Sequence, residues 1–594
     1  MALAPKVFLI AVAVLVSGCV GMTPPPGWVP TETPVSAMTA HFAGNVTFVL
    51  PIPAEDWALV ESLLSAGRVL DVLPPALRPF DVPASLVRYM DTLCRNGSLC
   101  ACSPSTYAYT CAGPGLSRHL MDVEWGWDVG FASFVHPVTK TVRVRASRGP
   151  ALPPALNSVI EFVAGLGATP PIRGTGKNGP GKVGFETLAQ ADPLIVGATL
   201  RATYGIPADL LLTASVSIGL AEFQDDLAYW DSDLEAMSVG LNVSVCAPTS
   251  QYGPFDNSSV DGESALDASV VGSLSCGADI RWLTFDNWMW EYAHTCTSTP
   301  DVCPNVTSIS WGWWEEDQCS VDSAACSQWN VTSSCGYAAR VDKEFGLGAL
   351  LGKTHVVASG DAGCHGRTDE ACDDPACRMV FPCSSQWVTC VSATAAQKFV
   401  GLDPAPPACQ GDAGAPCASV VSEAPCFLGA DGTGFGCQWT PGGGVSTCIP
   451  RPKYQSQAVK EYLESKGAVL PPAGDFGSGR GGPDVAALGH NMWIMYSGSW
   501  ATLDGTSAST PVWASLLTYV NQARLNQGLA VLGAANPFLY SLPAASSFFQ
   551  VQGASNNCTE YMCCDTGFAS SPETSWNAVT GLGSVRNLAA ILPA

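Results

Sequence analysis

The sequence predicts an α/β protein, a parallel sheet with helices on both faces, preceded by a smaller α+β segment. Three observations carry this. From about residue 190 onward, strand-like and helix-like segments alternate, as in sheets whose parallel strands are joined by helical crossovers. The strand candidates 306–310 and 356–359 read as buried. At 594 residues and 47% hydrophobic content, the chain is long enough for two or three domains and rich enough for a large core.

Taken in order, the chain opens with Lys6 and an apolar run over 7–16, then Ser17, Gly18 and Gly21, which reads as a secretory signal over 1–21. Val16-Ser17-Gly18-Cys19 also fits a bacterial lipoprotein box, and that alternative stays open here. An apolar run of this length is too short for a bilayer, which takes about 20 residues, and no later stretch suggests a membrane span. A Pro/Thr-rich stretch (23–34) leads into strands expected at 45–50 and 141–146 and a helix at 54–66. The segment 169–182, with seven Gly and Pro, reads as an exposed linker open to cleavage. Beyond it, Leu266, Val270 and Leu274 share a helical face before a strand at 280–285. Trp513, Leu516, Leu517 and Val520 make an apolar stripe on a helix starting near Ser507. Between 362 and 448, ten cysteines among Gly and Pro read as a disulfide-stapled surface insertion.

Of 25 cysteines, Cys19 would leave with the signal, four lie before residue 182 and 20 after it. Even counts on both sides suit separate disulfide sets made in an oxidising compartment. Seven N-x-S/T sequons (Asn45, Asn96, Asn242, Asn257, Asn305, Asn330, Asn557) fit the same route. Charge divides at the linker. Residues 1–182 carry 13 basic against 11 acidic side chains, and 183–594 carry 15 against 40. So acidic a body repels nucleic acid, and its self-repulsion eases as carboxylates protonate, which favours work at low pH.

Three motifs carry chemistry. Gly505-Thr506-Ser507-Ala508-Ser509-Thr510-Pro511 opens a helix, and the positive end of the helix dipole favours negative charge developing on a serine oxygen. Ser507 or Thr506 equally fits a plain helix cap. Glu263 and Asp267, four residues apart, share one helix face. In a cleft such a pair can pass a proton between its members, while on a surface it is an ordinary acidic face. Asp361, in Ala358-Ser359-Gly360-Asp361, directly follows a strand, where parallel sheets gather their ligands; a turn or cap role fits it too.

Together these segments resemble the sedolisin family, the serine-carboxyl peptidases that include the tripeptidyl peptidases. Asp261–Asp267 looks like the family's helix bearing Glu and Asp, Ser359-Gly360-Asp361 like its S-G-D motif, and 505–511 like its G-T-S-A-S-x-P motif. Weaker matches are Ser310-Trp311-Gly312, Phe381-Pro382, Arg451-Pro452 with Tyr454, and Pro483-Asp484-Val485-Ala486, all in family order. The segment 153–166 is similar to the end of the family's propeptide, although its S-P-x-Y-G turn is not evident.

The resemblance implies a subtilisin-like catalytic domain over 185–594 and an α+β propeptide over 22–180. It implies an acid-active endopeptidase or tripeptidyl aminopeptidase that cleaves polypeptides. Ser507 would attack, Glu263 would take its proton, Asp267 would support Glu263, and a protonated Asp361 would donate to the oxyanion. The implied partners are a polypeptide substrate and the chain's own propeptide. The implied destination is the exterior or an acidic, lysosome- or vacuole-like compartment.

The resemblance also implies a propeptide disulfide between Cys100 and Cys111. It further implies a calcium site near the C-terminus, built from two Asp side chains and backbone carbonyls. Gln550 and Asn577 stand where those Asp are expected, which weakens a site whose affinity follows ligand charge. Asp565, or a disulfide among Cys558, Cys563 and Cys564, offers a structural substitute. Trp311, Trp313 and Trp314 either line a subsite or pack as core.

Two other readings compete. A subtilisin-type Ser/His/Asp peptidase would need a His beside Gly and Thr, yet His365-Gly366 runs into Arg367. A catalytically inactive, disulfide-rich secreted binding protein could keep the scaffold alone.

Overall fold

In the computed structural model, the residues described before 165 are 29–30, 45–70, 73, 82–94, 100–113, 116, 131–135, 142–146, 152–153, 156 and 159–164. From 194 to 593 all are described except 208–209, 224–227, 323–325, 327–330, 368, 370, 374–375, 400–420, 426–439, 473–475 and 560–561. The proposed signal, the 169–182 linker, and Cys409, Cys417, Cys426 and Cys437 lie outside the described residues.

The N-terminal part is α+β. Strands β1 (Asn45–Val49), β2 (Ala101–Ser105), β3 (Ala108–Ala112) and β4 (Phe162–Ala164) form an antiparallel sheet in the order β2-β3-β1-β4. Helices α1 (Ala54–Ser65) and α2 (Ala84–Leu93) accompany it, each entered through a proline. Proline's fixed φ suits that position. A second antiparallel sheet joins Val29–Pro30, Phe131–Val135 and Val142–Ala146.

The expected Cys100–Cys111 bridge is corrected here. The β2/β3 register sets Cys102 directly opposite Cys111, and those two are bonded. Cys100 bonds instead to Cys94, at the end of α2.

The large sheet uses β5 (Ser217–Glu222), β6 (Ser250–Tyr252), β7 (Asp279–Thr284), β8 (Val306–Ile309), β9 (Thr354–Ala358), β10 (Val388–Phe399), β11 (Val421–Pro425), β12 (Val485–Leu488), β13 (Phe548–Phe549) and β14 (Ser584–Val585). Their order is β13-β14-β12-β10-β9-β8-β5-β7-β6, with β11 antiparallel on β10. Every neighbouring pair along this path is parallel except β13/β14.

Alternation along the strands feeds two cores, because successive side chains leave opposite faces. Ile218, Leu220, Ile280, Trp282, Val356 and Val391 enter one core, with helices α3 (Gly262–Leu274) and α6 (Thr506–Asn526). Leu283, Val357 and Val388 enter the other, with α4 (Met289–Ser298) and α5 (Ser334–Leu350). Both faces are covered, as the alternating pattern predicts.

The surface insertion expected at 362–448 also needs correction. Residues 388–396 are a buried central stretch of β10, between β9 and β12. Its sequence, Val-Thr-Cys-Val-Ser-Ala-Thr-Ala-Ala, is small and part-polar, so it lacks an aliphatic run. Inside the sheet, Ser392 Oγ donates to Val579 O at 2.6 Å. Cys364–Cys377 and Cys383–Cys390 staple the segment internally, while Cys335–Cys448 ties it to α5 and Cys372–Cys564 ties it to the C-terminal part.

The N-terminal part packs on the α4/α5 face. Phe162 packs edge-on against Trp290, Trp57 against Trp387, and Leu70 N donates to Leu350 O at 2.7 Å. Arg340, fully buried, joins the two parts. Its Nε lies 2.7 Å from Glu161 Oε2 and its Nη2 lies 2.8 Å from Glu344 Oε1. Burial works against the Glu344 charge, but Arg340 and His294 outweigh it and draw its pKa down to about 2. His294 Nε2 also meets Ser105 Oγ at 3.1 Å.

Candidate active site

The site forms where α3, α6 and the ends of β8 and β9 converge. α3 starts at an Asp cap: Asp261 Oδ1 accepts from Glu263 N at 2.8 Å. That cap places Glu263, half-buried, in the first turn. Asp267 sits one turn further along the same face, fully buried. α3 packs against α6, so the deeper carboxylate is carried into the protein.

Ser310 immediately follows β8 and is buried there. Its Oγ lies 3.0 Å from Asp267 Oδ1 and 3.3 Å from the Ser507 carbonyl oxygen. Its own carbonyl accepts from Ser507 Oγ at 3.5 Å. Ser310 thus bridges the serine and the acidic helix.

α6 begins at Gly505, whose φ of +144° lies where side chains are strained. A Cβ there would also sit 3.4 Å from Asp361 Oδ2. Gly505, not a serine, is the N-cap residue, and the first helical N–H finds its acceptor in another segment. Thr506 N donates to Asp361 Oδ1 at 2.8 Å, and Thr506 Oγ1 donates to the same oxygen at 2.7 Å. Capping is therefore part of what Asp361 does, through Oδ1. Its other oxygen, Oδ2, takes Arg367 Nη2 at 3.2 Å. Asp361 follows β9 by three residues, held there by the Gly360 N–H bond to Thr506 Oγ1 at 3.2 Å.

Pro511, inside α6, has no N–H to give the carbonyl four residues back, which is that of Ser507. That carbonyl is the one Ser310 Oγ reaches. The proline thereby frees the acceptor that couples the Ser507 backbone to Asp267.

Sequence reasoning singled out Ser507, Glu263, Asp267 and Asp361 but gave Ser310, Arg367 and Pro511 no role. The available signal for Ser310 was its place at the end of the buried strand candidate 306–310, within the weak match Ser310-Trp311-Gly312. Just upstream of the serine, His490 Nδ1 pairs with Asp504 Oδ2 at 3.1 Å, and Gly505 N donates to Gly489 O at 2.9 Å. The other described histidines serve packing. His355 meets Tyr292, His294 the Arg340 cluster, and His365 the Thr566 carbonyl. Trp311 and Trp313 are core, and Trp311 Nε1 donates to Glu222 Oε2 at 3.0 Å.

A serine at a helix N-terminus, linked to a buried carboxylate on the neighbouring helix and flanked by a strand-end carboxylate, is the arrangement that the sequence resemblance led one to expect. Similarity agrees. The chain is 34% identical to Physarolisin of Physarum polycephalum over 455 residues, 75% of each chain. It is 30% identical to Tripeptidyl-peptidase 1 of Mus musculus over 478 residues, 76% of this chain and 73% of that one. No family model matches the chain. Among solved structures, a Pseudomonas sedolisin (serine-carboxyl proteinase) complexed with two molecules of pseudo-iodotyrostatin aligns at TM-score 0.48 and 19% identity. It covers 67% of this chain and 97% of that one. The chain belongs to the sedolisin family and is a serine-type peptidase. Among the described residues, no helix is long and apolar enough to cross a membrane, and ten disulfides suit a secretory or lysosomal protein.

Proposed function

We propose that the enzyme hydrolyses polypeptides in acid, with Ser507 as nucleophile, Glu263 as general base, Asp267 as its proton partner and Asp361 as oxyanion donor. The observation that carries this is the Ser310 bridge, which ties Asp267 to the backbone of Ser507. Glu263 shares the face of Asp267 at the mouth of the same helix, so a proton leaving Ser507 has an acid pair to enter. Asp361 holds Oδ1 on the α6 cap, and Oδ2, which takes Arg367 Nη2 in this structure, is the oxygen assigned to face the developing oxyanion. A histidine base would be mostly protonated at pH 4, whereas carboxylates ordinarily titrate near that pH.

The N-terminal part is read as a propeptide (22–180), released by cleavage within 169–182. Its seat on α4 and α5, with Arg340 held between Glu161 and Glu344, suits a segment made to dock before it departs. Exterior and acidic-vesicle destinations both fit a glycosylated route. Asn242 and Asn257 are exposed for it, whereas Asn557 Nδ2 already donates to Cys564 O at 2.7 Å.

One experiment tests these proposals together. The full chain and its Ser507→Ala variant are incubated at pH 4 with a denatured protein. Wild type should shorten to the residue-185 region and digest the substrate, and Ser507→Ala should do neither. Equal digestion by both would remove Ser507 from the mechanism, and an intact wild-type chain that digests substrate would remove the propeptide reading. Mass spectrometry of products from a long peptide separates internal cuts from successive N-terminal tripeptides.

A further inference from the structure

The family resemblance implies calcium beside Gln550 and Asn577, in the loops that lead from β13 and into β14. Calcium needs a concave set of oxygens with net negative charge. Here the two positions carry amides, and the amides turn the local chemistry round. Gln550 Nε2 donates to Ser575 O at 2.6 Å and to Leu582 O at 2.8 Å. Two carbonyl oxygens facing one side-chain end require that end to be the NH2. The other end, Gln550 Oε1, accepts from Asn577 Nδ2 at 3.2 Å.

Asn577 is fully buried and similarly engaged. Its Nδ2 also donates to Thr580 Oγ1 at 3.1 Å, while its Oδ1 accepts from Val579 N and Thr580 N at 2.9 Å each. Backbone bonds between Asn577 and Gly581 close the turn in both directions. Trp576 Nε1 anchors the loop to Pro483 O at 2.8 Å, beside β12. A cation would meet N–H groups where it needs oxygens, with no carboxylate from either position to offset its charge.

We infer that this cradle is closed by an amide relay, Asn577 to Gln550 to the Ser575 and Leu582 carbonyls, which replaces a bound calcium ion and leaves the fold independent of it. The relay ties the loop before β14 to the segment after β13, so the sheet edge is fixed from within. This inference does not rest on the proton roles proposed above.

The test uses the full chain carrying Ser507→Ala, which avoids autolysis, and reads thermal unfolding rather than activity. Tm should be the same in EDTA and in millimolar calcium chloride. Gln550→Ala orphans two carbonyls and should lower Tm by about 3 °C or more, equally in both solutions. A calcium-dependent rise in Tm that Gln550→Ala abolishes would overturn the inference. A rise that Gln550→Ala leaves in place would overturn the calcium independence of the fold and place the ion outside this cradle. Gln550→Asp combined with Asn577→Asp restores the oxygen set, and its Tm should become calcium-dependent.

Discussion

At the scale of single residues, Asp361 divides its work between two oxygens. Oδ1 takes both donors of Thr506 and so fixes the start of the helix that carries Ser507, while Oδ2 faces Arg367. This division predicts an order among variants. With Asp361→Asn, the Thr506 donors would hold the amide oxygen, and the NH2 would stand where Oδ2 was, losing the Arg367 contact but able to donate to an oxyanion. With Asp361→Ala, donor and cap both vanish. Loss of one oxyanion donor costs about 10²–10³ in kcat, so Asp361→Ala should fall by that much or more, with Asp361→Asn between it and wild type. Acid hydrolysis of a fluorogenic peptide measures the order, and Asp361→Asn no better than Asp361→Ala would sink the two-oxygen division. The four side chains proposed for the chemistry could be singled out in the sequence because each sits in a short local motif. Ser310 was harder to assign, since its contacts with Asp267 and Ser507 span 43 and 197 positions of chain, and the short match Ser310-Trp311-Gly312 does not specify them.

At the scale of elements, α6 is built against its own helical interest. Proline inside a helix costs about 3 kcal/mol relative to alanine, yet Pro511 lies inside α6, four residues after Ser507. The structural return is a Ser507 carbonyl left for Ser310 Oγ. Pro511→Ala would supply an N–H that competes for that carbonyl. The expected outcome is an equal or higher Tm with a kcat lowered by about tenfold, or about 1.4 kcal/mol of transition-state stabilisation. Calorimetry beside kinetics checks it, and activity retained at wild-type level would disconnect the proline from the site. The elements themselves were mostly readable. Helix α1 and strands β7, β8 and β9 fall within a residue or two of where periodicity and β-branched content put them. β10 escaped because burial on both faces between two strands lets small and hydroxyl side chains do what aliphatics usually do. Disulfide pairing escaped for another reason, because strand register decides it, as with Cys102 opposite Cys111.

At the scale of the whole molecule, acid bears on stability through particular buried groups. His355 lies on β9, with Nδ1 2.6 Å from Tyr292 Oη. The groups facing it are Tyr292 of α4, Phe345 of α5 and, as a nearby charge, Lys353. Burial, reinforced by Lys353, pushes its pKa down to about 3 from an ordinary 6.5. The folded imidazole stays neutral while the unfolded one takes a proton, so below pH 6.5 the unfolded state binds more protons. This contribution is whole above pH 6.5 and is lost as pH falls toward 3, amounting to about 3 kcal/mol by pH 4. Glu344 acts in a lower window. With a folded pKa of about 2 against an ordinary 4.5, its contribution holds above 4.5 and disappears only as pH falls through 2. The Arg340 junction therefore keeps its Glu344 charge at pH 4, where the His355 contribution is already largely gone. Replacing the imidazole by a group that does not titrate should flatten the first of these slopes. His355→Gln in the Ser507→Ala background should lose less unfolding free energy between pH 6.5 and pH 4 than the parent does, whatever its stability at neutral pH. Urea unfolding at the two pH values gives both slopes, and parallel ones would show that the acid sensitivity arises elsewhere in the fold.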